Sequence, residues 1–259
     1  MRVAALYDIH GNLPALEAVL DEVRRADVDA IVVGGDVVLG PMPHETLRCL
    51  LDLDRPTHFI HGNCELAVLA QRAAADESQV AYWGTTFGDP PPESIRRIFR
   101  WTAQQLRPDD VAAITGWPKT LRLEIDGLGT VLFCHSTPRS ETEIFTRLTP
   151  EARLRPVLDG LGASVIVCGH THMQFDRIVG DTRVVNAGSV GSPFGEPGAY
   201  WALLGPDVRF QRTSYDLAAA AERIRATPFP DAEAFAAESV LHPPTEADKL
   251  EEMGKAELR

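Results

Sequence analysis

The sequence lacks any apolar run that approaches the length of about 18 residues that crosses a membrane, so we predict no membrane association. It also lacks a charged leader followed by an apolar stretch, so we expect no signal peptide. Only four of the 259 residues are cysteine, and none forms a CxxC pair. This scarcity excludes a disulfide-stapled exported scaffold and favours the reducing cytoplasm as the location.

Positive charge is scarce as well, because 25 Lys and Arg stand against 37 Asp and Glu, for a net charge of -12. An acidic chain does not attract nucleic acid through its overall field, so no stable nucleic-acid binding is expected. A phosphorylated small molecule or a nucleotide could bind only where something local, such as a metal pair, reverses the sign. A homo-oligomer is compatible with the sequence, which does not determine the oligomeric state.

Strand and helix patterns alternate through residues 3–62, which predicts βαβ units and a largely parallel sheet. Hairpin patterns follow in the second half, so we predict an α/β protein. The main domain is expected over residues 1–225, with a helical cap insertion at 66–118. Residues 226–259 are Ala-, Glu- and Pro-rich, and we expect a helical C-terminal extension outside the main core.

Side chains that bind metals follow five of the predicted strands. Ligands usually gather outside the carboxyl ends of strands in α/β proteins, so these side chains are expected to meet. A set of N and O donors without thiolate suits Mn, Fe, Zn or Co better than a structural zinc site. Each motif alone is weak, and Asp8 by itself could be a helix cap. The motifs are D-I-H (Asp8, His10), G-G-D (Asp36), G-N-C-E (Asn63), F-C-H (His135) and G-H-T-H (His170, His172).

The ordered set D-x-H, G-D-x(4)-G, G-N-x-E, H and G-H-x-H resembles the calcineurin-like metallophosphoesterases. In chain length and in the residues of its motifs it is most similar to their small bacterial and archaeal phosphodiesterase branch. Residues 186–193 (NAGSVGSP) resemble the Asn-(Pro or Ala)-Gly-Ser element of that branch. The resemblance covers residues 1–213. It implies a four-layer α/β/β/α sandwich of two mixed sheets, with metals at one edge and the helical cap insertion over them.

The resemblance also implies a role for each motif. Asp8, His10 and His172 would hold one divalent transition-metal ion, and Asn63, His135 and His170 a second. Asp36 would bridge the two. Manganese is the expected metal, with Fe, Zn, Co or Ni as alternatives. Two such ions lower the pKa of a shared water toward ~7, so that hydroxide attacks the phosphorus. Asp36, Asn63 and His135 are therefore also the implied catalytic residues.

Cys64 departs from the family pattern, which commonly has a histidine there that helps protonate the leaving group. A neutral thiol is a weak donor, with a reference pKa near ~8.5. We interpret Cys64 as a small buried filler, with a catalytic thiol as the alternative. Because activated diesters depend less on that proton, we expect a phosphodiesterase. A phosphomonoesterase or dinucleoside polyphosphate hydrolase is the alternative enzyme. A non-catalytic protein-binding scaffold is the alternative from another class, disfavoured because all seven ligand positions are kept.

Candidate substrate contacts are weaker, since each has an ordinary explanation. Asn12 could equally be a helix cap, and the arginines could be surface charges. The aromatic residues of the cap insertion could stack a base or simply pack a helical lobe. The candidates for substrate contact are Asn12, Arg139, Arg96 and Arg97, and the cap aromatics are Trp83, Phe87, Phe99 and Trp101.

Overall fold

The computed structural model describes residues 1–76, 80, 91–256 and 258. The strands in this part of the chain are β1 (Val3–Leu6), β2 (Ala30–Val33), β3 (Thr57–Phe59), β4 (Thr120–Ile125), β5 (Gly129–Cys134), β6 (Val165–Cys168), β7 (Phe175–Val179), β8 (Thr182–Asn186), β9 (Ala199–Leu204) and β10 (Val208–Thr213). The α-helices are α1 (Leu13–Arg25), α2 (Pro43–Leu51), α3 (Asn63–Ala73), α4 (Glu93–Gln105), α5 (Pro108–Thr115), α6 (Glu151–Leu158), α7 (Leu217–Arg225), α8 (Ala232–Phe235) and α9 (Glu246–Gly254). A π-helical segment, Ala236–Leu241, continues α8.

The strands form two five-stranded mixed sheets. The first has the order β10-β9-β1-β2-β3. In it β1, β2 and β3 are parallel to one another, β9 is antiparallel to β1, and β10 is antiparallel to β9. The second has the order β4-β5-β6-β8-β7, with β5, β6 and β8 parallel between antiparallel edge strands. Parallel strands put their carboxyl ends at the same edge, so each sheet presents one edge on which loops can gather.

Alternation of side chains along β1 shows how the layers are built. Val3, Ala5 and Tyr7 point between the sheets, whereas Ala4 and Leu6 point toward the helices on the outer face. A third apolar cluster lies between the second sheet and α6. Three apolar interfaces therefore separate four layers, and the predicted α/β/β/α sandwich of two mixed sheets is confirmed.

Helix α1 begins where the sequence predicted it. The Asn12 side chain accepts a hydrogen bond from the Ala15 amide at 3.2 Å, and a proline occupies the first turn. Capping satisfies an amide that has no partner within the helix. The buried side chains of α1 recur at helical spacing and pack on the first sheet: Leu13, Leu16, Val19, Leu20 and Val23.

The described residues of the region predicted as the helical cap insertion contain most of α3 together with α4 and α5. Phe99 is fully buried, and Trp101 packs edge-on against Phe229 with ring centroids 5.2 Å apart. These two observations favour the interpretation that the aromatic residues of the cap insertion pack a helical lobe. Trp83 and Phe87 lie outside the described residues. The boundaries of the domain, cap and extension stay predictions.

The C-terminal segment packs on the domain, so the expectation that it lies outside the main core was wrong. Ala236 and Val240 are fully buried in the cluster between the helices and the first sheet. The face of this segment that packs on the core combines Ala232 and Ala236 with larger residues, Phe235, Val240 and Leu241. The Ala- and Glu-rich composition does not distinguish such a segment from a solvated helix. Among the described helices, none is long and apolar enough to cross a membrane.

Tyr7 provides a test of how the two sheets are joined. Its hydroxyl donates a hydrogen bond of 3.0 Å to the Val167 carbonyl, from the end of β1 across to β6. Tyr7→Phe keeps the ring but leaves a buried acceptor without this donor. We expect the free energy of unfolding to fall by about 1–2 kcal/mol in urea titrations.

The matched control is Tyr200→Phe. In the wild type the Tyr200 hydroxyl donates a hydrogen bond of 2.9 Å to the Glu196 carbonyl at the surface. Water replaces that partner, so the loss should stay below about 0.5 kcal/mol. Equal losses in the two variants would contradict the proposed importance of the bond between the sheets.

Candidate metal centre and the cavity above it

The seven predicted ligand side chains follow the carboxyl ends of β1, β2, β3, β5 and β6, six of them in loops and Asn63 as the first residue of α3. Five of the seven residues adopt the left-handed backbone conformation, which costs free energy for any residue other than glycine. These sharp turns direct consecutive polar side chains into one small volume. Their φ angles are 53° at Asp8, 49° at His10, 54° at Asp36, 65° at His170 and 58° at His172.

The first cluster contains Asp8, His10 and His172. The Nε2 atoms of the two histidines are 3.2 Å apart, and Asp8 Oδ1 lies 3.5 Å from His172 Nε2 and 4.0 Å from His10 Nε2. Asp8 Oδ1 is buried and has no hydrogen-bond partner among the described residues, whereas Oδ2 accepts from the His170 amide at 2.8 Å. One carboxylate oxygen and two ring nitrogens thus converge on a common point.

The second cluster joins Asn63, His135 and His170. His135 Nε2 lies 3.1 Å from Asn63 Oδ1 and 3.2 Å from His170 Nδ1. Asp36 stands between the clusters, because its Oδ2 lies 3.5 Å from His135 Nε2 and 3.9 Å from His10 Nε2. One carboxylate therefore faces both groups of candidate ligands.

The donor set fits metal ions. In three of the histidines the Nδ1 atom faces a backbone carbonyl, which fixes the proton on Nδ1 in the neutral ring and leaves the Nε2 lone pair for the centre. A cation would also satisfy the unpartnered Asp8 Oδ1. The contacts are His10 with Leu39 at 3.3 Å, His135 with Gly34 at 2.9 Å and His172 with Ser192 at 2.5 Å.

The two carboxylates make the centre strongly favourable for positive charge. Burial opposes ionisation of Asp36, but the charge and hydrogen bond of His135 outweigh it and lower the pKa of Asp36. Burial likewise opposes the positive charge of His135, but the negative charges of Asp36 and Asp8 outweigh it and raise the pKa of His135 to about 10. Burial and the neighbouring His135 lower the pKa of His170 to about 4. A metal ion that binds here must displace the proton on His135.

Glu65 is a site residue to which the sequence analysis assigned no role. It is fully buried in α3, and its carboxylate accepts four hydrogen bonds from backbone amides of the loops after β2 and β3. Burial, and then the charge of Asp36, raise the pKa of Glu65. Its position in G-N-C-E was the available signal. The amides are Asp36 (2.7 Å), Val37 (2.7 Å), Val38 (3.2 Å) and Gly62 (2.8 Å).

Close approach of these loops explains the glycine before Asn63. A Cβ atom on Gly62 would lie 2.2 Å from Asp36 Oδ1, so only glycine leaves room for the shared carboxylate. Residues 186–189 (NAGS) also hold the loops of the centre in place through hydrogen bonds. Asn186 Nδ2 donates to the Gly169 carbonyl at 2.6 Å, and Ser189 Oγ donates to the Asp8 carbonyl at 2.8 Å. These bonds position the loops that carry the candidate ligands.

Cys64 does more than fill space. Its amide donates to Asp36 Oδ1 at 2.9 Å, and its thiol donates to Asp36 Oδ2 at 3.0 Å. Burial, and then the charge of Asp36, raise the pKa of the thiol well above its usual range. The thiol therefore stays protonated and is occupied by the carboxylate that faces both clusters.

The predicted substrate contacts have protein partners. Besides capping α1, Asn12 donates to the Gly191 carbonyl at 2.9 Å. Arg139 pairs with Glu143 at 2.5 Å, Arg96 pairs with Glu93 at 2.7 Å, and Arg97 lies 3.8 Å from Asp231. None of the four is among the described residues that line the cavity over the centre. A direct contact with substrate stays a prediction for each of them.

A cavity of about 390 Å³ opens directly above the centre. Its floor includes His10, Asp36, Asn63, Cys64, His170 and His172. Its roof comes from α4 and from the segment after residue 228, including α9. This volume is in the range of small-molecule sites, which are about 300–1,000 Å³.

A two-sheet α/β fold with Asp, Asn and His side chains gathered at strand ends defines a metallohydrolase-like class of protein. A sequence model of the calcineurin-like phosphoesterase superfamily domain matches residues 1–207, and the chain belongs to this superfamily. Over 243 residues the chain is 25% identical to an uncharacterized protein of Methanocaldococcus jannaschii, with 86% of this chain and 91% of that protein covered.

Two solved structures are also similar. A metallophosphoesterase from Sphaerobacter thermophilus has a TM-score of 0.67 and 26% identity, with 93% of this chain and 99% of that chain covered. A hypothetical protein from Pyrococcus horikoshii OT3 has a TM-score of 0.78 and 20% identity, with 94% of this chain and 99% of that chain covered. The second likeness shows the shared fold alone.

Glu65→Gln tests the support under Asp36. A glutamine has only one oxygen, so in either orientation its NH₂ group faces two backbone amides that need an acceptor. Leaving these buried donors unsatisfied should lower the free energy of unfolding by about 2–4 kcal/mol. Calorimetric titration with Mn²⁺ should also show weakened metal binding, because the loop that carries Asp36 loses its anchor.

Glu196→Gln serves as a control, since Glu196 is exposed and forms a surface ion pair with Arg212. That change should cost less than about 1 kcal/mol and leave Mn²⁺ affinity as in the wild type. Wild-type stability and metal affinity in Glu65→Gln would show that the four amides find other partners.

Proposed function

We propose that this protein is a metal-dependent phosphodiesterase that uses a dinuclear centre. Membership in the calcineurin-like phosphoesterase superfamily supports hydrolysis of a phosphate ester. The position of Asp36 Oδ2, 3.5 Å from His135 and 3.9 Å from His10, is the observation that carries the dinuclear proposal. A carboxylate with ligand clusters on both sides is suited to be shared by two ions.

The proposed ligand sets follow from the two clusters. Asp8, His10 and His172 would hold one ion, Asn63, His135 and His170 the other, and Asp36 both. Divalent ions bound there lower the pKa of water toward ~7 and neutralise charge on the phosphoryl oxygens. Manganese is the first choice, with Fe, Zn, Co or Ni as alternatives, because nitrogen and oxygen donors accept all of them.

The side chains of the protein prepare this chemistry. The Nδ1 hydrogen bonds of His10, His135 and His172 hold the imidazole rings in the orientation that presents Nε2 to the centre. The Glu65 carboxylate fixes the Asp36 loop, so that the shared carboxylate does not have to reorganise when ions bind. The roof over the cavity limits water around the reacting phosphate.

The preference for diesters rests on Cys64. Its neutral thiol already donates to Asp36 Oδ2, so it is poorly placed to protonate a leaving group. Alkyl monoesters depend strongly on that proton, whereas diesters with acidic leaving groups do not. A monoesterase or dinucleoside polyphosphate hydrolase is therefore the weaker alternative. A protein-binding scaffold would not need seven converging ligand side chains.

Asp36→Asn should weaken both metal sites together, because it removes the negative charge that they share. Protein reloaded with Mn²⁺ is expected to contain two ions per chain in the wild type and fewer than one in the variant. Elemental analysis of desalted protein measures both values.

Asp52→Asn is the control, since Asp52 is exposed and forms an ion pair with Arg48 on the surface. It should retain both ions. A single ion in the wild type, or loss of only one ion in Asp36→Asn, would sink the dinuclear proposal.

Replacement of Cys64 should separate the two ester classes. Cys64→His introduces a group whose pKa lies near neutrality, so the ratio of alkyl monoester to aryl diester hydrolysis should rise about tenfold or more. Cys64→Ala removes the hydrogen bond that the thiol donates to Asp36 and the weaker one that it accepts from Asn63 Nδ2, and should lower diester hydrolysis by less than about tenfold.

The measurement is kcat/KM for one aryl diester and one alkyl monoester in the wild type and both variants, with bound metal checked in each. If diester hydrolysis collapses in Cys64→Ala while both ions remain bound, the thiol takes part in the chemistry and our account of it is wrong.

A further inference from the structure

Apolar side chains from the cap helix α4 and from the C-terminal segment form the roof of the cavity. Ile95 and Ile98 come from α4, Phe229 and Phe235 from the segment around α8, and Met253 from α9. All of these except Phe229 are only partly buried. Partly exposed apolar side chains that converge on a cavity above polar ligands are typical of a site for an apolar group.

The polar groups of the roof are paired with one another. Lys249 Nζ lies 2.7 Å from Glu252 Oε2 and 5.4 Å from the ring centroid of Phe194. The Phe194 ring in turn stacks on His172 at 5.3 Å. Among the described residues that line the cavity, Lys249 is the only Lys or Arg. Its charge is matched by Glu252, so the wall offers little compensation for phosphate groups beyond the reacting one.

Polar contacts attach the C-terminal part of the roof to the loops of the centre, among them a hydrogen bond of 2.9 Å between the hydroxyls of Ser192 and Ser239. The Gly195 amide donates to the Pro244 carbonyl at 2.9 Å, close to Ser192, which accepts from His172. Arg147 pairs with Glu246 at 2.6 Å, and the Leu258 amide donates to the Ile144 carbonyl at 2.8 Å. These contacts fix the position of the C-terminal part of the roof relative to the candidate metal ligands.

We propose that this roof is a subsite for an uncharged, apolar organic group on the phosphorus. The substrate class is then small phosphate esters with an aromatic or branched aliphatic substituent. Dinucleoside polyphosphates would place additional charged phosphates against an apolar wall, which is costly without counter-charges. This inference rests on the proposed function, since it assumes that the phosphoryl group binds at the metal centre below.

The test measures binding rather than turnover. Full-length protein loaded with Mn²⁺ is titrated in a calorimeter with phenylphosphonate and, separately, with methylphosphonate. The phosphonate group is the same in both ligands, so the affinity ratio reports on the organic group. We expect phenylphosphonate to bind about tenfold more tightly or better, because the ring is removed from water.

Two roof variants and one control locate the effect. Met253→Ser and Ile98→Ser should bring the affinity ratio close to one, while methylphosphonate affinity stays near the wild-type value. Leu250→Ser changes a partly buried side chain of similar size on the same helix as Met253 that does not line the cavity. It should keep the wild-type ratio.

The failures of the two proposals are distinguishable. If both phosphonates bind equally well to the wild type, or if the ratio survives in both roof variants, the apolar subsite is wrong while the metal centre stands. If Leu250→Ser lowers the ratio as much as Met253→Ser, the effect comes from the helix fold and the subsite is also wrong. If neither phosphonate binds to Mn-loaded protein, the proposed function fails and the subsite falls with it.

Discussion

Three carboxylates, those of Asp8, Asp36 and Glu65, are buried within one small region, with exposed fractions of 0%, 3% and 0%. Removing a carboxylate from water costs several kcal/mol unless hydrogen bonds or opposite charges compensate. Glu65 is compensated by four backbone amides, and Asp36 by His135, His10 and the Cys64 thiol. One oxygen of Asp8 accepts no hydrogen bond from the described residues, and a cation is the natural complement.

The same compensation links the fold to the site. Glu65 collects amides from the loops after β2 and β3, so the start of α3 and the Asp36 loop cannot move independently. Asn186 and Ser189 do the same for loops after β6 and β1. These bonds stabilise the left-handed conformations at the ligand positions, which would otherwise be unfavourable. A change in any of these supports should therefore alter metal binding without touching a ligand.

The candidate metal ligands and most of the proposed organic subsite lie in different parts of the chain. The seven candidate ligands and Glu65 all lie within residues 1–207, which match the superfamily. Much of the roof lies after residue 228, beyond that match. The candidate metal ligands thus belong to the superfamily domain, while the proposed organic subsite combines α4 of that domain with the C-terminal segment beyond it.

The sequence by itself determined the fold class, the start of α1 and the strand ends at which the candidate ligands stand. This worked because strand and capping patterns are local, and because the ligand motifs follow strands directly in the chain. Their meeting at one edge could be expected from the parallel strands of each sheet, whereas their roles as ligands remain predictions.

Only the tertiary structure decided what Glu65, Cys64 and the C-terminal segment contact. Glu65 accepts from amides up to 29 residues away, and the Cys64 thiol meets a carboxylate 28 residues earlier in the chain. Helix α9 lies over a site whose first residues are near the N-terminus. Hydrophobic periodicity shows that a helix has an apolar face. The segment against which that face packs depends on parts of the chain far away in sequence, and no local pattern encodes that packing.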